Sequence, residues 1–196
     1  MSRNRKLSDL SALGLRAQDL IDDRIVSADG YVWGGISRWV SSSTNLTVVR
    51  SASGIYLFRR ASTLGETHSF GWSIIQFSRL TTAKGFNPVE VSLCYEISGA
   101  AATSATVELK LVTYSSSGAT ASNYGGTLTY DSGHDTAAER AAIGTHFLTA
   151  TLGETQYITT EHAALVIDFT VVMPAAGGGW TLDMYGGGIR FEHKYD

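Results

Sequence analysis

The sequence predicts an all-β protein: an antiparallel two-sheet sandwich, jelly-roll-like, with a short N-terminal arm or helix. Many segments alternate apolar and polar side chains with period two, as a strand with one buried and one wet face does. Residues 89–97 and 107–111 alternate in this way, and residues 189–195 do so near the C-terminus. Parallel strands covered on both faces are apolar throughout, so the alternation favours antiparallel pairing. Turn-like Gly and Ser clusters separate the segments, and we find no repeat of fixed period, which argues against propellers and solenoids.

Residues 1–30 differ from the rest and are predicted to be an attachment arm, whereas residues 31–196 are predicted to form the sandwich. Ser8 is a suitable helix N-cap, and apolar residues follow it at helical spacing to about residue 23,. Gly14 weakens such a helix, so the apolar stripe also fits an extended arm that docks on a neighbour. The predicted partner-binding residues of the arm are Arg3, Arg5, Lys6, Leu7, Leu10, Leu13, Leu20 and Ile21.

Along the body, the pattern first predicts strands over residues 36–40, 46–50, 55–60 and 69–80. Bulky residues on both faces of the last of these predict a central strand with Trp72 in the core. Further strands are predicted over residues 89–97, 106–114, 126–130, 146–152, 164–173, 180–185 and 189–195. The glycine run at residues 186–188 is interpreted as a turn between the last two, and residues 136–143 favour a short helix,. Many short strands and one helix in a single domain predict a sandwich.

Composition narrows the functional classes. The chain is 43% hydrophobic and only 17% charged, and its net charge of -3 gives no general attraction for nucleic acid or an anionic membrane,. No stretch approaches the roughly 18 apolar residues of a membrane span. The basic N-terminus lacks the apolar stretch of a secretory signal, which indicates synthesis in a cytoplasm. The single cysteine, Cys94, is predicted to be a small half-buried thiol on a strand,.

No local motif predicts catalysis, a cofactor or a metal site, and we expect a non-enzymatic protein. The glycine clusters lack a phosphate-loop arrangement, and the histidines lack zinc-ligand spacing. Residues 131–135 fit a turn with an Asp N-cap before the short helix better than a calcium loop. A Ser-His-Asp arrangement assembled in space stays open, as does a catalytic carboxylate pair. The strand carboxylates from which such a pair could come are Glu90, Glu96, Glu108, Glu161, Asp168 and Asp183.

Aromatic residues support a binding function better than the polar residues support a catalytic one. Trp33, Trp39 and Trp180 could supply flat faces that stack on sugar rings, as in sandwich-type carbohydrate binders. Tryptophans also fill the space between two sheets, and this is the interpretation favoured for Trp72. Trp180, beside three glycines, fits either role.

Two stretches of the chain resemble structural proteins of tailed bacteriophages. Residues 6–10 (Lys-Leu-Ser-Asp-Leu) and 22–26 (Asp-Asp-Arg-Ile-Val) are similar to openings in which a short arm precedes a β-rich body. The body, from Val89 to Phe191, resembles the jelly-roll domains of phage head-decoration, head-fibre and tail-fibre proteins. The resemblance carries no motif onto which catalytic residues could be mapped.

This resemblance implies a virion structural protein, made in the host cytoplasm, that decorates or cements a capsid through its arm and through contacts between copies. The implied partners are the major capsid protein or another virion protein and further copies of the chain, with a homotrimer favoured. The alternative is a tail- or head-fibre module that binds a host surface glycan. No cofactor, nucleic acid or membrane is expected. A sandwich light in charge is compatible with lateral packing between copies.

Overall fold

The computed structural model of the chain describes residues 31–35, 39–41, 43, 45–52, 54–76, 86–124, 126–153, 158 and 163–193. The predicted arm, with all its partner-binding residues, lies outside these ranges. Within them, no helix has the length and apolar character that a membrane span requires.

Two antiparallel sheets form the predicted sandwich. Sheet A contains β1 (Tyr31–Gly35), β3 (Thr47–Arg50), β4 (Tyr56–Ser62), β6 (Phe86–Ser98), β9 (Leu128–Tyr130), β10 (Gly144–Leu152) and β12 (Trp180–His193). Its order is β3-β4-β12-β6-β10-β9, and β1 pairs with β12. Sheet B contains β2 (Val40–Ser41), β5 (Glu66–Gln76), β7 (Ser104–Ser115), β8 (Gly118–Asn123) and β11 (Ala163–Met173), in the order β2-β5-β11-β7-β8. The helix, α1 (Ala137–Ala141), connects β9 to β10.

The core lies between the sheets, on the apolar phase of the predicted alternation. On β6 the buried side chains run from Val91 to Ile97 at every second position, and on β11 they run from Ile167 to Met173 in the same way. Trp72 is 2% exposed, which confirms its predicted place in the core. Because each strand has one buried phase, the opposite phase defines an outer face for each sheet.

The glycine run near the C-terminus is not a turn, and the two strands predicted there are one strand, β12. Its pairing with β6 continues through the glycines, with a bulge between Met184 and Gly186. A Cβ at Gly187 would lie 2.5 Å from the carbonyl oxygen of Ser92 and 2.6 Å from Leu93 Cδ2. The glycine is therefore needed for close approach inside the sheet rather than for a reversal of the chain.

The structure differs from the sequence analysis at three further places. The strand predicted from residue 89 begins earlier, at Phe86, so Pro88 lies within β6, beside a second irregularity in the β6–β12 register where a missing N–H is tolerated,. Strand β8 was not predicted, because it contains no large apolar residue. The N-cap of α1 is Thr136 rather than an Asp: its hydroxyl accepts from the Glu139 amide, and the Glu139 carboxylate accepts from the Thr136 amide,.

Candidate functional site

The outer face of sheet A brings together polar side chains from strands that are far apart in sequence. In the strand register, Glu96 of β6 lies between Thr145 of β10 and Asp183 of β12, and Asp183 pairs in turn with Arg59 of β4. Tyr185 occupies the bulge of β12 just beyond Asp183. The bulge inserts one extra residue and so directs the Tyr185 side chain onto the same face.

Two hydrogen-bonded pairs hold this arrangement. Arg59 forms a bidentate pair with Asp183: Nε donates to Oδ1 at 2.7 Å and Nη2 donates to Oδ2 at 2.5 Å. The Asp183 carboxylate is nearly buried, whereas the Arg59 side chain is 47% exposed. The Tyr185 hydroxyl donates to Oε2 of Glu96 at 2.8 Å. Bidentate and charge-assisted bonds of this kind fix the side chains in position.

The electrostatics keep the donors of the two pairs, Arg59 and Tyr185, protonated at neutral pH. The hydrogen bonds and the charge of Asp183 raise the pKa of Arg59 above its ordinary value. Burial, followed by the bond to Glu96, raises the pKa of Tyr185 to about 12. Burial also raises the pKa of the neighbouring, half-buried Cys94 thiol, which makes it a poor nucleophile,.

An exposed aromatic ring lies on the same face, on the strand next to that of Glu96. Phe147 of β10 is 60% exposed and pairs in register with Cys94, two residues from Glu96 along β6. Diagonal neighbours across an antiparallel pair are about 7–8 Å apart, within reach of long side chains. We call this group the outer-A cluster; its members are Arg59, Glu96, Phe147, Asp183 and Tyr185.

Sequence reasoning missed the outer-A cluster as a site, although it placed Glu96 and Asp183 on the wet face. One signal was available. On β10 the wet phase carries Thr145, Phe147 and Thr149, so a large apolar residue interrupts a run of threonines. An exposed large apolar side chain indicates a contact surface when polar groups surround it. Here the polar groups belong to other strands, so the sequence of β10 alone does not show them.

The predicted sugar-stacking tryptophans lie elsewhere. Trp39 is 4% exposed and packs on Trp72, with ring centroids 5.7 Å apart. Trp180 is 2% exposed, and its ring N–H donates to the Leu64 carbonyl at 2.9 Å. Both rings are enclosed by the core, so the stacking prediction is wrong for these two residues. Trp33 pairs with Gly188 through the β1 backbone, and its side chain is outside the described part of the structure.

The other candidate carboxylates form ion pairs on the strand faces. Glu108 and Asp168 are register partners on sheet B, and both contact Nζ of Lys110, at 3.0 and 2.7 Å. Oε2 of Glu90 lies 3.7 Å from Nη2 of Arg190. Glu161 is outside the described ranges. Pairs of this exposure contribute little to stability.

Residues 131–135 form a turn, as predicted, and it joins two histidines. Asp131 accepts from the backbone amides of Gly133 at 3.0 Å and Thr149 at 2.7 Å, and it lies 2.8 Å from Nδ1 of His134. Nε2 of His134 is in turn 3.2 Å from Nδ1 of His146. Burial acts to raise the pKa of Asp131, but these hydrogen bonds together lower it. Among the described residues, no group of three or more His, Cys, Asp or Glu side chains is arranged to hold a metal ion.

Comparisons with known proteins give structural similarities at low identity. TmCBM61, solved with β-1,4-galactotriose, is 10% identical over 82% of this chain and 92% of its own, with a TM-score of 0.41. An arabinose-bound α-L-arabinofuranosidase, MgGH51, is 13% identical over 80% of this chain and 23% of its own, also with a TM-score of 0.41. CBM28, a module specific for non-crystalline cellulose, is 13% identical over 85% and 87%, with a TM-score of 0.32. No family model and no curated protein matches the sequence.

Proposed function

We propose that the protein binds neutral carbohydrate at the outer-A cluster and does so without catalysis. The observation that carries the proposal is the exposed Phe147 ring on the same sheet face as two fixed hydrogen-bonding groups, Glu96 on the adjacent strand β6 and Arg59 on β4. A sugar ring has an apolar C–H face and a rim of hydroxyls. It therefore needs a flat apolar surface with donors and acceptors at its edge, which is the pattern of polar groups set beside an aromatic surface in small-molecule sites.

The polar groups of the cluster offer both donors and acceptors to the hydroxyls of a sugar. Arg59 has five N–H donors and uses two atoms, Nε and Nη2, for Asp183, so a half-exposed guanidinium still presents donors to a ligand,. Glu96 receives one bond from Tyr185, and an ionised carboxylate has about four acceptor sites,. Each sugar hydroxyl can donate and accept, so hydroxyls can pair with either group.

The charge balance of the cluster favours a neutral ligand. The bidentate pair cancels the charges of Arg59 and Asp183 locally, and Glu96 adds one negative charge that disfavours acidic sugars,. Asp183 is also poorly placed for glycoside cleavage, because both of its carboxylate oxygens are bonded to Arg59 and neither is free to serve a glycosidic oxygen,. Binding is therefore the function that this geometry supports best.

Isothermal titration calorimetry with Phe147→Ala tests the proposal. The wild-type chain is titrated with a panel of neutral oligosaccharides that includes β-1,4-galactotriose and soluble cello-oligosaccharides. Removing the ring deletes the apolar contact, and we expect affinity to fall by about tenfold, equivalent to about 1.4 kcal/mol. The matched control is Tyr114→Ala, which removes an aromatic ring of comparable exposure, 47%, from β7 of the other sheet.

The possible results of the titrations distinguish binding at the outer-A cluster from its absence. Loss of binding in Phe147→Ala with retention in Tyr114→Ala supports the outer-A cluster as the site. Absence of binding by the wild-type chain across the panel contradicts the proposal. Equal affinity of the wild type and Phe147→Ala contradicts it as well.

Capsid decoration through the N-terminal arm stays a prediction, because its attachment residues lie outside the described ranges. The alternative predicted with it, a glycan-binding module, is the function that the outer-A cluster supports.

A further inference from the structure

The edge of sheet B formed by β8 is unusually open. Within the described part of the chain, β8 is the longest strand that is hydrogen-bonded on one side only, and all six of its residues are exposed. The other strands that pair on one side only, β1, β2, β3 and β9, have five, two, four and three residues. Shortness limits the pairing of such edges with another chain, and β8 offers the longest of them.

Strand β8 also lacks the chemical features that block edge pairing. Residues 111–130 contain no charged side chain and no proline. The β7–β8 register runs from Lys110↔Asn123 to Ser115↔Gly118 without a bulge. Proteins usually protect an exposed edge with lysine, proline or a bulge, and an edge with none of them is a template for strand addition.

The register identifies the backbone groups that point away from the sheet. The Tyr124 amide donates to the Leu109 carbonyl at 2.8 Å, which makes these two residues a hydrogen-bonded pair. Such pairs alternate along an antiparallel ladder, so Thr120 and Ser122 direct their N–H and C=O groups toward β7,. Ala119, Ala121 and Asn123 direct theirs outward. The outward groups are centred on Ala121.

We infer that β8 pairs with β8 of a second copy of this chain, antiparallel and about a two-fold axis at Ala121. The pairing sets Ala121 opposite Ala121 and Ala119 opposite Asn123, so each outward N–H meets a C=O of the other copy. The side chains that meet are small and neutral, so neither steric overlap nor like charge opposes the contact,. A charged or bulky partner would find nothing complementary on this edge, whereas a second copy does.

The inferred assembly is a dimer whose two B sheets form one continuous sheet. It differs from the homotrimer that the sequence resemblance favours, because a two-fold contact between identical edges closes after two copies. The contact is short, and we expect dissociation in the micromolar range or weaker. Both A sheets then lie on the same side of the dimer. The dimer would therefore present two outer-A clusters in the same direction, as a bivalent binder does. This consequence rests on the proposed carbohydrate function, whereas the dimer itself does not.

Analytical ultracentrifugation of the full chain and of Ala121→Lys tests the inference. We expect the wild type to sediment as a concentration-dependent equilibrium between 21.0 kDa and twice that mass. In Ala121→Lys the two lysines face each other across the axis, so the dimer dissociation constant should rise by at least about tenfold. The matched control is Ala138→Lys, the same change at an exposed position of α1, which should dimerise like the wild type.

A disulfide trap checks the register. Residues of a bonded antiparallel pair have Cα atoms about 5.5 Å apart, within the range of a disulfide. In a Cys94→Ser background, Ala121→Cys should therefore form a covalent dimer on mild oxidation, and Ala138→Cys should not. A wild type that is monomeric up to about 1 mM overturns the inference. So does a trimer, a dimer that Ala121→Lys leaves intact, or an Ala121→Cys chain that fails to cross-link.

Discussion

His68 is the most deeply buried histidine among the described side chains, at 2% exposure. Its Nδ1 lies 3.1 Å from the Ser43 hydroxyl, and its Nε2 is 3.3 Å from Oε2 of Glu66, outside hydrogen-bonding geometry. Burial lowers the pKa of His68, the Glu66 carboxylate raises it in part, and Arg60 lowers it further. The folded protein therefore holds this ring neutral at a pH where the unfolded chain protonates it.

We expect the free energy of unfolding to fall as the pH drops from about 7.5 to about 5.5. Below the ordinary histidine value near 6.5, the unfolded chain binds protons that folded His68 resists, so acid favours unfolding. His146 acts in the same direction, because burial is the largest cause that lowers its pKa. Urea denaturation across this range measures the effect.

His68→Asn serves as the control for the pH series. The variant is less stable at every pH, but the part of the pH dependence that His68 contributes should disappear. Glu66 does not obscure the result, since hydrogen bonds from Arg60, opposed in part by burial, leave its pKa at about 2. An unchanged free energy of unfolding between pH 7.5 and pH 5.5 would show that the two histidines titrate alike in both states.

At the residue scale, the sequence predicted the core better than the site. Period-two alternation was enough to place Trp72 and the β6 core residues, because burial follows strand phase,. Sugar stacking was the role considered for Trp39 and one of two roles left open for Trp180, on residue type alone. Their burial depends on which strands pack against them, and a local sequence pattern does not give that information. The exposure of Phe147 could not be predicted for the same reason.

At the scale of elements, strand β12 shows why the glycine run was misinterpreted. Consecutive glycines are common in turns, but here they let β12 approach β6 and the Trp39 ring closely. A Cβ at Gly187 would come 3.0 Å from Trp39 Cζ2 as well as 2.5 Å from the Ser92 carbonyl. The backbone contact cannot relax without breaking the sheet register.

We expect Gly187→Ala to lower the free energy of unfolding by about 1–3 kcal/mol, the usual cost of overpacking. Gly177→Ala is the matched control, because a Cβ at that position meets nothing within 4 Å. Chemical denaturation of the two variants beside the wild type measures the difference. If Gly187→Ala were as stable as Gly177→Ala, the close approach of β12 and β6 would be disproved.

Two other elements mark the limits of sequence patterns. The short helix was predicted because its composition is helical, and the Thr136–Glu139 capping box is visible in the sequence once the helix is placed,. Strand β8 was missed because Gly-Ala-Thr-Ala-Ser-Asn has no large apolar residue on either face. An edge strand with all residues exposed has no core contact to impose one.

At the scale of the whole molecule, the sandwich was predictable and its surfaces were not. Alternation fixed the fold class, since many half-buried strands can satisfy their apolar faces only against a second sheet. The outer-A cluster depends on strand order, which joins Arg59 to Asp183 across 124 positions of the chain. The cluster lies on the face of sheet A and the β8 edge belongs to sheet B, so the proposed ligand site and the inferred dimer contact do not compete.

Amide chemical-shift mapping tests the location of the carbohydrate site most directly. The ¹⁵N-labelled full chain is titrated with the neutral oligosaccharide that binds most tightly in calorimetry. We expect the largest shifts at residues 94–96, 145–147 and 183–186. These are neighbouring backbone positions of sheet A, and they include the members of the outer-A cluster on β6, β10 and β12. Absence of any shift, or shifts concentrated on sheet B or around Leu64 and Trp180, would contradict the outer-A cluster as the binding site.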